Sequence, residues 1–323
     1  MPPGGPIFGS KMTTILYTHQ ACFDHRTGPH HPESPERLRA VLDGLSGPAF
    51  AALERREAPR AERGQIARVH AKAYIEGIFR DLPAADLLHL DADTVVSAGS
   101  GEAALRAAGA VVAAVDAVIQ GEAQNAFCAV RPPGHHAEPG QAMGFCLFNN
   151  VAIGALQARA VHGLQRIAVV DFDVHHGNGT QAAFWADPDL FYGSTHQWPL
   201  YPGSGRAEER GAGPGPGNIV NMPLAPLSGS AEFHAAIETV LLPRLEEFSP
   251  QLVMVSAGFD AHAADPLANL NLVEADFAWV TEMLLDVAAR HAQSRLVSTL
   301  EGGYDLGALA RSAAAHVAAL MAA

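Results

Sequence analysis

Short apolar runs alternate along this chain with longer stretches of helical period. Residues 14–17, 126–130, 167–170, 190–192, 252–255 and 296–300 form brief apolar runs, most with β-branched side chains. Such runs suit strands buried on both faces of a parallel sheet. Between them, residues 101–119 and 149–161 carry the clearest helical period, and 231–247 and 275–291 follow. Strands that alternate with helices predict a doubly wound α/β sheet. The Gly- and Pro-dense stretch 201–226 reads as a long surface excursion, a kind of loop that is often functional. No internal repeat appears, and no linker is long enough to divide the chain into two domains.

Four strand candidates run directly into polar clusters. The first leads into Arg131-Pro-Pro-Gly-His135-His136, and the second into Asp171-Phe-Asp173-Val-His175-His176. The third reaches Ala257-Gly-Phe-Asp260, and the fourth Glu301-Gly-Gly-Tyr304. Open parallel sheets bind ligands beyond the carboxyl ends of their strands, so these segments are expected to converge on one site.

In an extended chain Asp171, Asp173 and His175 share a face, and a carboxylate with an imidazole at that spacing can grip a divalent metal. Asp260, from another strand end, offers a third ligand. Three protein ligands leave a coordination position open, which marks a catalytic rather than a structural zinc. Strand-end capping explains Asp173 and His175 equally well when they are taken alone; the other strand ends tip the balance. His135 and His136 sit on a turn made rigid by two prolines and opened by a glycine, facing the same region. One ring can act as base and one as acid in moving protons. Tyr304, after two glycines, can donate a hydrogen bond to a developing oxyanion.

Composition narrows the function classes. Of the 323 residues, 48% are hydrophobic and 17% charged, enough apolar material for a large core. The net charge of −13 disfavours nucleic acid and anionic membrane as partners, because phosphate binding needs clustered Lys and Arg. No basic stripe interleaved with aromatics is present either. Three widely spaced cysteines, with no CxxC, do not make a disulfide framework. A reducing, cytoplasmic location is expected. Residues 1–12 are Gly/Pro-rich without a secretory pattern; they read as a disordered tail or an appended remnant, with the catalytic domain spanning 13–323. No apolar run reaches about 18 residues, so no membrane span is expected.

The segments RPPGHHA (131–137), GFCLFNN (144–150), DFDVHHGNGT (171–180), SAGFDAH (256–262) and EGGY (301–304) resemble histone deacetylases and their bacterial relatives, including acetylpolyamine amidohydrolases. HPESPERL (31–38) is similar to an early loop of that family. The resemblance spans residue 14 to the C-terminus. It implies an arginase-like α/β fold around a central, mostly parallel sheet of about eight strands. It makes Asp173, His175 and Asp260 zinc ligands, although iron(II) suits such a site too. It makes His136 the general base, His135 its tandem partner and Tyr304 the group that polarises the carbonyl. Asp171 then orients the first histidine. Asn178 stands behind the second, as in the class II branch.

The same resemblance gives Gly144, Phe145 and Tyr201 to the substrate tunnel, and Arg37 to an inner cavity through which acetate leaves. It assigns a structural potassium ion to Asp171, Asp173, His175, Ser194 and Thr195. An outer potassium site falls near Phe184, Asp187, Leu190 and Asn218. Leu267 stands where the polyamine-selective branch has an acid, and a leucine cannot offset the desolvation of a buried cation. The expected activity is zinc-dependent hydrolysis of N-acetyl-lysine in proteins or peptides. Small acetylated amines are the alternative substrates, and a non-catalytic metal-binding scaffold is a third reading. A homo-oligomer is compatible with the Ala-rich helices.

Overall fold

The computed structural model describes residues 13–215 and 217–323. The expectation of disorder over residues 1–12 lies outside the described residues. Ten strands are present among those described: β1 (Thr14–Thr18), β2 (Glu54–Glu57), β3 (Leu88–His89), β4 (Val95–Val96), β5 (Asn125–Cys128), β6 (Ile167–Asp171), β7 (Leu190–Gln197), β8 (Ile219–Leu224), β9 (Leu252–Ala257) and β10 (Leu296–Leu300). Eight build one sheet in the order β2-β1-β5-β10-β9-β6-β7-β8, and every pairing in it is parallel. The fold is the expected α/β architecture. All six strand expectations fall on strands of this sheet.

The four strands that end in polar clusters, β5, β10, β9 and β6, are its four consecutive central members. Parallel pairing points their carboxyl ends the same way. Register then sets the clusters side by side: Asp171 pairs with Ser256, Ala257 with Leu300, and Thr299 with Cys128. Topology thus gathers segments remote in sequence into one rim.

Helices Ser100–Ile119 and Asn150–His162 pack together in one layer. Helices Pro35–Gly44, Glu274–His291 and Leu306–Ala322 pack together in another. Asn149 caps the helix Asn150–His162 by accepting from the Ala152 N–H, and Gly163 ends it in a left-handed conformation. A second, smaller core includes Ile66, Ile75, Ile78, Val96, Leu147, Phe148 and Ile153 with Ala104, Ala108 and Val112 of the helix Ser100–Ile119. It supports the segments that form one side of the site.

The structure departs from the expectations at several places. β8 lies inside the stretch 201–226 that reads as an excursion. It pairs with β7 from Ile219 to Leu224 and tolerates Pro223 because it is a sheet edge. β2, of sequence ERRE, is the opposite edge and carries no hydrophobic period. β7 runs on to Gln197 because Ser194, Thr195, His196 and Gln197 are buried rather than looped out. The helical run at 231–247 holds a π-turn at Ile237–Leu241 just before Pro243, whose missing N–H breaks the regular ladder. HPESPERL is only half loop: Pro35 opens a helix.

Candidate active site

β6 stops at Asp171, so an extended face is not what gathers its acids. A turn does so instead. Asp173 accepts from the His175 N–H at 2.8 Å and from the Gly302 N–H at 2.8 Å. Asp260 accepts from the Val174 N–H at 2.9 Å. His175 Nδ1 then lies 3.2 Å from Asp173 Oδ1 and 3.1 Å from Asp260 Oδ2. One ligand atom from each of the three residues lies within 4.8 Å of the others, and all three residues are buried. Gly258 and Gly302 make this approach possible. A methyl group at either would collide with the Asp173 or Asp260 carboxylate.

The histidine pair stands beside this triad, ring centroids 4.0 Å apart. His135 Nδ1 lies 2.9 Å from Asp171 Oδ2, which also accepts from the Tyr192 hydroxyl at 3.1 Å. His136 Nδ1 lies 2.8 Å from Asn178 Oδ1. Glu301 holds the turn that carries the pair, accepting from the Gly134 N–H at 2.7 Å and the His135 N–H at 3.1 Å.

A cavity of about 220 Å³ opens onto these groups. It is lined by Asp93, His136, Gly144, Phe145, His175, Leu200, Tyr201, Leu267 and Tyr304. Phe145 stands edge-on to Tyr304, centroids 5.9 Å apart, and Tyr201 edge-on to His136 at 5.2 Å. Gly144 and Phe145 both adopt positive φ, so the turn that presents the phenyl ring needs an N–H anchor, which Thr94 Oγ1 provides at 3.1 Å.

A family model described as the histone deacetylase domain matches residues 31–320. The chain belongs to the histone deacetylase family. It is 43% identical over 312 residues to a histone deacetylase-like amidohydrolase of Pseudomonas aeruginosa, covering 90% of this chain and 81% of that one. It is 39% identical over 302 residues to a probable deacetylase of Archaeoglobus fulgidus, covering 92% and 83%. Among solved structures, the HDA15 HD domain superposes with a TM-score of 0.90 at 33% identity, over 97% of this chain and 89% of that one. Membership makes the chain a hydrolase of the deacetylase type that binds acetylated substrates.

The electrostatics of this deacetylase-family site are uneven by construction. Burial alone would lower both histidines. For His135, Asp171 and Asp173 outweigh burial and push it up to about 10. For His136, burial and the neighbouring His135 and His175 hold it well below 6.5. The triad is crowded with negative charge. Burial and the Asp173 charge push the Asp260 carboxyl up to about 7. His175 rises to about 10, since the two aspartates overcome its burial. Protons therefore sit where a divalent cation would relieve the same crowding, and this donor set fits such an ion. Burial raises the Tyr304 phenol well above 10, so it stays a hydrogen-bond donor.

Several residues singled out in the sequence stand apart from the substrate cavity. Arg37 is one of them. It is fully buried behind Tyr304, with its Cζ 4.8 Å from the ring centroid. It donates to the Gly303 carbonyl at 2.6 Å, the Glu301 carbonyl at 2.5 Å and Glu33 at 3.2 Å. Ser194 is the register partner of Asp171, and its hydroxyl lies 2.9 Å from His196 Nδ1. Thr195 is buried on the same strand. Asp187, which the resemblance places near an outer potassium site, pairs with Arg159.

Asp93, Leu200 and Asp265 carry no role in the sequence reading, and Glu301 enters it only as the first residue of the EGGY segment. Asp265 accepts from the N–H groups of Leu267 at 3.0 Å and Tyr304 at 2.7 Å, tying the two pocket residues together. Its position five residues after Asp260 was the only available signal. The three cysteines are buried thiols. Among the described residues, no helix is long and apolar enough to cross a membrane.

Proposed function

We propose that the protein is a zinc-dependent lysine deacetylase that removes the acetyl group from N-acetyl-lysine in proteins or peptides. The observation that carries this reading is the narrow cavity walled by Phe145, Tyr201, Leu200 and Leu267, with Tyr304 and His175, the histidine of the Asp173–His175–Asp260 triad, on its lining. Two aromatic walls suit the linear alkyl chain of lysine, and an apolar residue at 267 suits a substrate without a second buried charge.

Asp173, His175 and Asp260 would hold the zinc ion, which when bound supplies Lewis acidity to water and to the amide carbonyl. His136 lines the cavity and is held neutral, so it takes the proton from the attacking water and returns it to the departing amine. His135, kept charged by Asp171, adds positive potential beside the oxyanion as it forms. Tyr304 donates its phenolic proton to that oxygen in a hydrogen bond. Arg37 keeps Tyr304 in place by clamping the carbonyls of the Glu301–Gly303 turn. A potassium ion near Asp171, Ser194 and Thr195 would brace the turn from Asp171 to His175 that carries two of the three metal ligands.

Asp93 favours a second reading. Its carboxylate lies on the cavity lining, where it can meet a cationic small substrate such as an acetylpolyamine. Initial rates on an acetyl-lysine peptide and on acetylputrescine decide between them. A kcat/KM for the peptide at least about tenfold higher supports the lysine reading, and the reverse ranking overturns it. Leu267→Glu should move the ratio towards acetylputrescine.

A further inference from the structure

The carboxamide of Asn178 faces two ways. Its Oδ1 meets His136 Nδ1 at 2.8 Å. Its Nδ2 is ringed by acceptors: Glu138 Oε1 at 2.8 Å, Met143 Sδ at 3.3 Å and the His136 carbonyl at 3.4 Å. An ionised carboxylate only accepts, and an amide nitrogen only donates. Glu138 therefore fixes which end of the amide turns outward, and the oxygen is left to face the ring. An oxygen there requires a proton on His136 Nδ1, which leaves Nε2 as the free base.

From this chain of donors and acceptors we infer that Glu138 is a positioning residue for the deacetylase reaction. It selects the Asn178 rotamer, and through it the tautomer in which His136 can accept a proton. The inference rests on the deacetylase reading, in which His136 is the base.

Glu138 is well placed for this. Its main chain is pinned on both sides: its N–H donates to the Gln141 carbonyl at 3.0 Å, and its own carbonyl lies 3.0 Å from His70 Nδ1. Asn149 N–H donates to the other nitrogen of His70 at 2.9 Å, so His70 Nδ1 is the donor. The Glu138 side chain is half-buried and borders a second cavity of about 560 Å³, shared with Met143, Asn178, Gln181 and Trp185, outside the substrate pocket. It touches neither the substrate cavity nor the triad. An aspartate at 178 would need no such partner, because both its oxygens accept and neither has to be turned.

That difference supplies the test. Glu138→Ala, Asn178→Asp and the double variant are compared on the zinc-loaded full chain with an acetyl-lysine peptide. Glu138→Ala should lower kcat about tenfold, with KM within about twofold, because the freed amide samples both rotamers. Glu138→Gln, whose oxygen can still accept, should recover most of the loss. In the Asn178→Asp background the same Glu138→Ala change should cost nothing, or raise kcat by removing a facing like charge. Equal losses in both backgrounds would assign Glu138 to loop packing and overturn the inference, as would no loss in either. Nitrogen-15 shifts of the His136 ring read the tautomer directly. A protonated Nδ1 in the parent and a mixture in Glu138→Ala support the inference; identical spectra refute it. This readout stands even if the peptide proves not to be a substrate, so the two readings fail separately.

Discussion

Two of the buried histidines of this protein, His316 and His135, are used in opposite ways. On the helix Leu306–Ala322, His316 lies between hydroxyls, 2.6 Å from Thr281 Oγ1 and 2.8 Å from Ser298 Oγ. Phe127, Phe172 and Phe259 surround its ring at 5.5 to 5.9 Å. Among the described residues no carboxylate is in contact with it, so burial drives it down to about 3 and it stays neutral. His135 is as deeply buried, yet Asp171 and Asp173 lift it to about 10. Burial alone makes a histidine inert packing; a buried carboxylate makes it a charge held in reserve. The two regions share a wall, since Phe172 lies between Asp171 and Asp173, and Phe259 just before Asp260. One face of each turn is apolar and load-carrying, and the other carries the chemistry.

Substitutions at both places sharpen the contrast. Asp260→Asn, at the triad, should abolish zinc retention on dialysis and lower turnover at least about a thousandfold, while far-UV circular dichroism stays unchanged. Retained zinc with full turnover would remove Asp260 from the ligand set. Tyr304→Phe should lower kcat about a hundredfold to a thousandfold, with zinc content kept. His316→Leu, on the other side of the wall, should leave kcat per folded molecule unchanged and cost about 1–3 kcal/mol of stability in urea, chiefly from the unpaired Ser298 hydroxyl. A lost activity there, with zinc retained, would join the two regions functionally.

The smallest effect is in pH. An unfolded histidine titrates near 6.5 and folded His316 near 3, so the unfolded chain binds a proton that the folded chain refuses. This group therefore costs stability as pH falls below 6.5 and nothing above it. His316→Leu should flatten the fall of Tm between about pH 7 and pH 5.

The contrast also explains what the sequence could tell. The site was legible because its polar groups stand at the ends of short apolar strands. Asp173, His175, Asp260 and Tyr304 each follow a run that reads as a buried strand. His316 offers no such mark; it lies in an Ala-rich helix, and its partners Thr281 and Ser298 are remote in sequence. The apolar run 190–192 stops short of the polar half of β7, because burial of Ser194 to Gln197 depends on partners such as the Gly205 carbonyl and the Asn269 N–H. β8 was hidden among glycines and prolines, and β2 by its charges. Edge strands need not bury both faces, so they carry little of the pattern by which the central strands are recognised. Glu138 and Asp265 were invisible because each acts on another side chain or on backbone rather than on substrate.

On the proposed reading, the Asp173–His175–Asp260 triad loads the metal by which this chain hydrolyses an acetylated amine. Acetate release from an acetyl-lysine peptide, titrated against zinc added to the chelator-stripped protein, tests it most directly. Release should be absent without metal and should rise linearly to a plateau at about one zinc per chain. Release that persists in the stripped protein, or a stoichiometric zinc site in the Asp173→Asn variant, would contradict it.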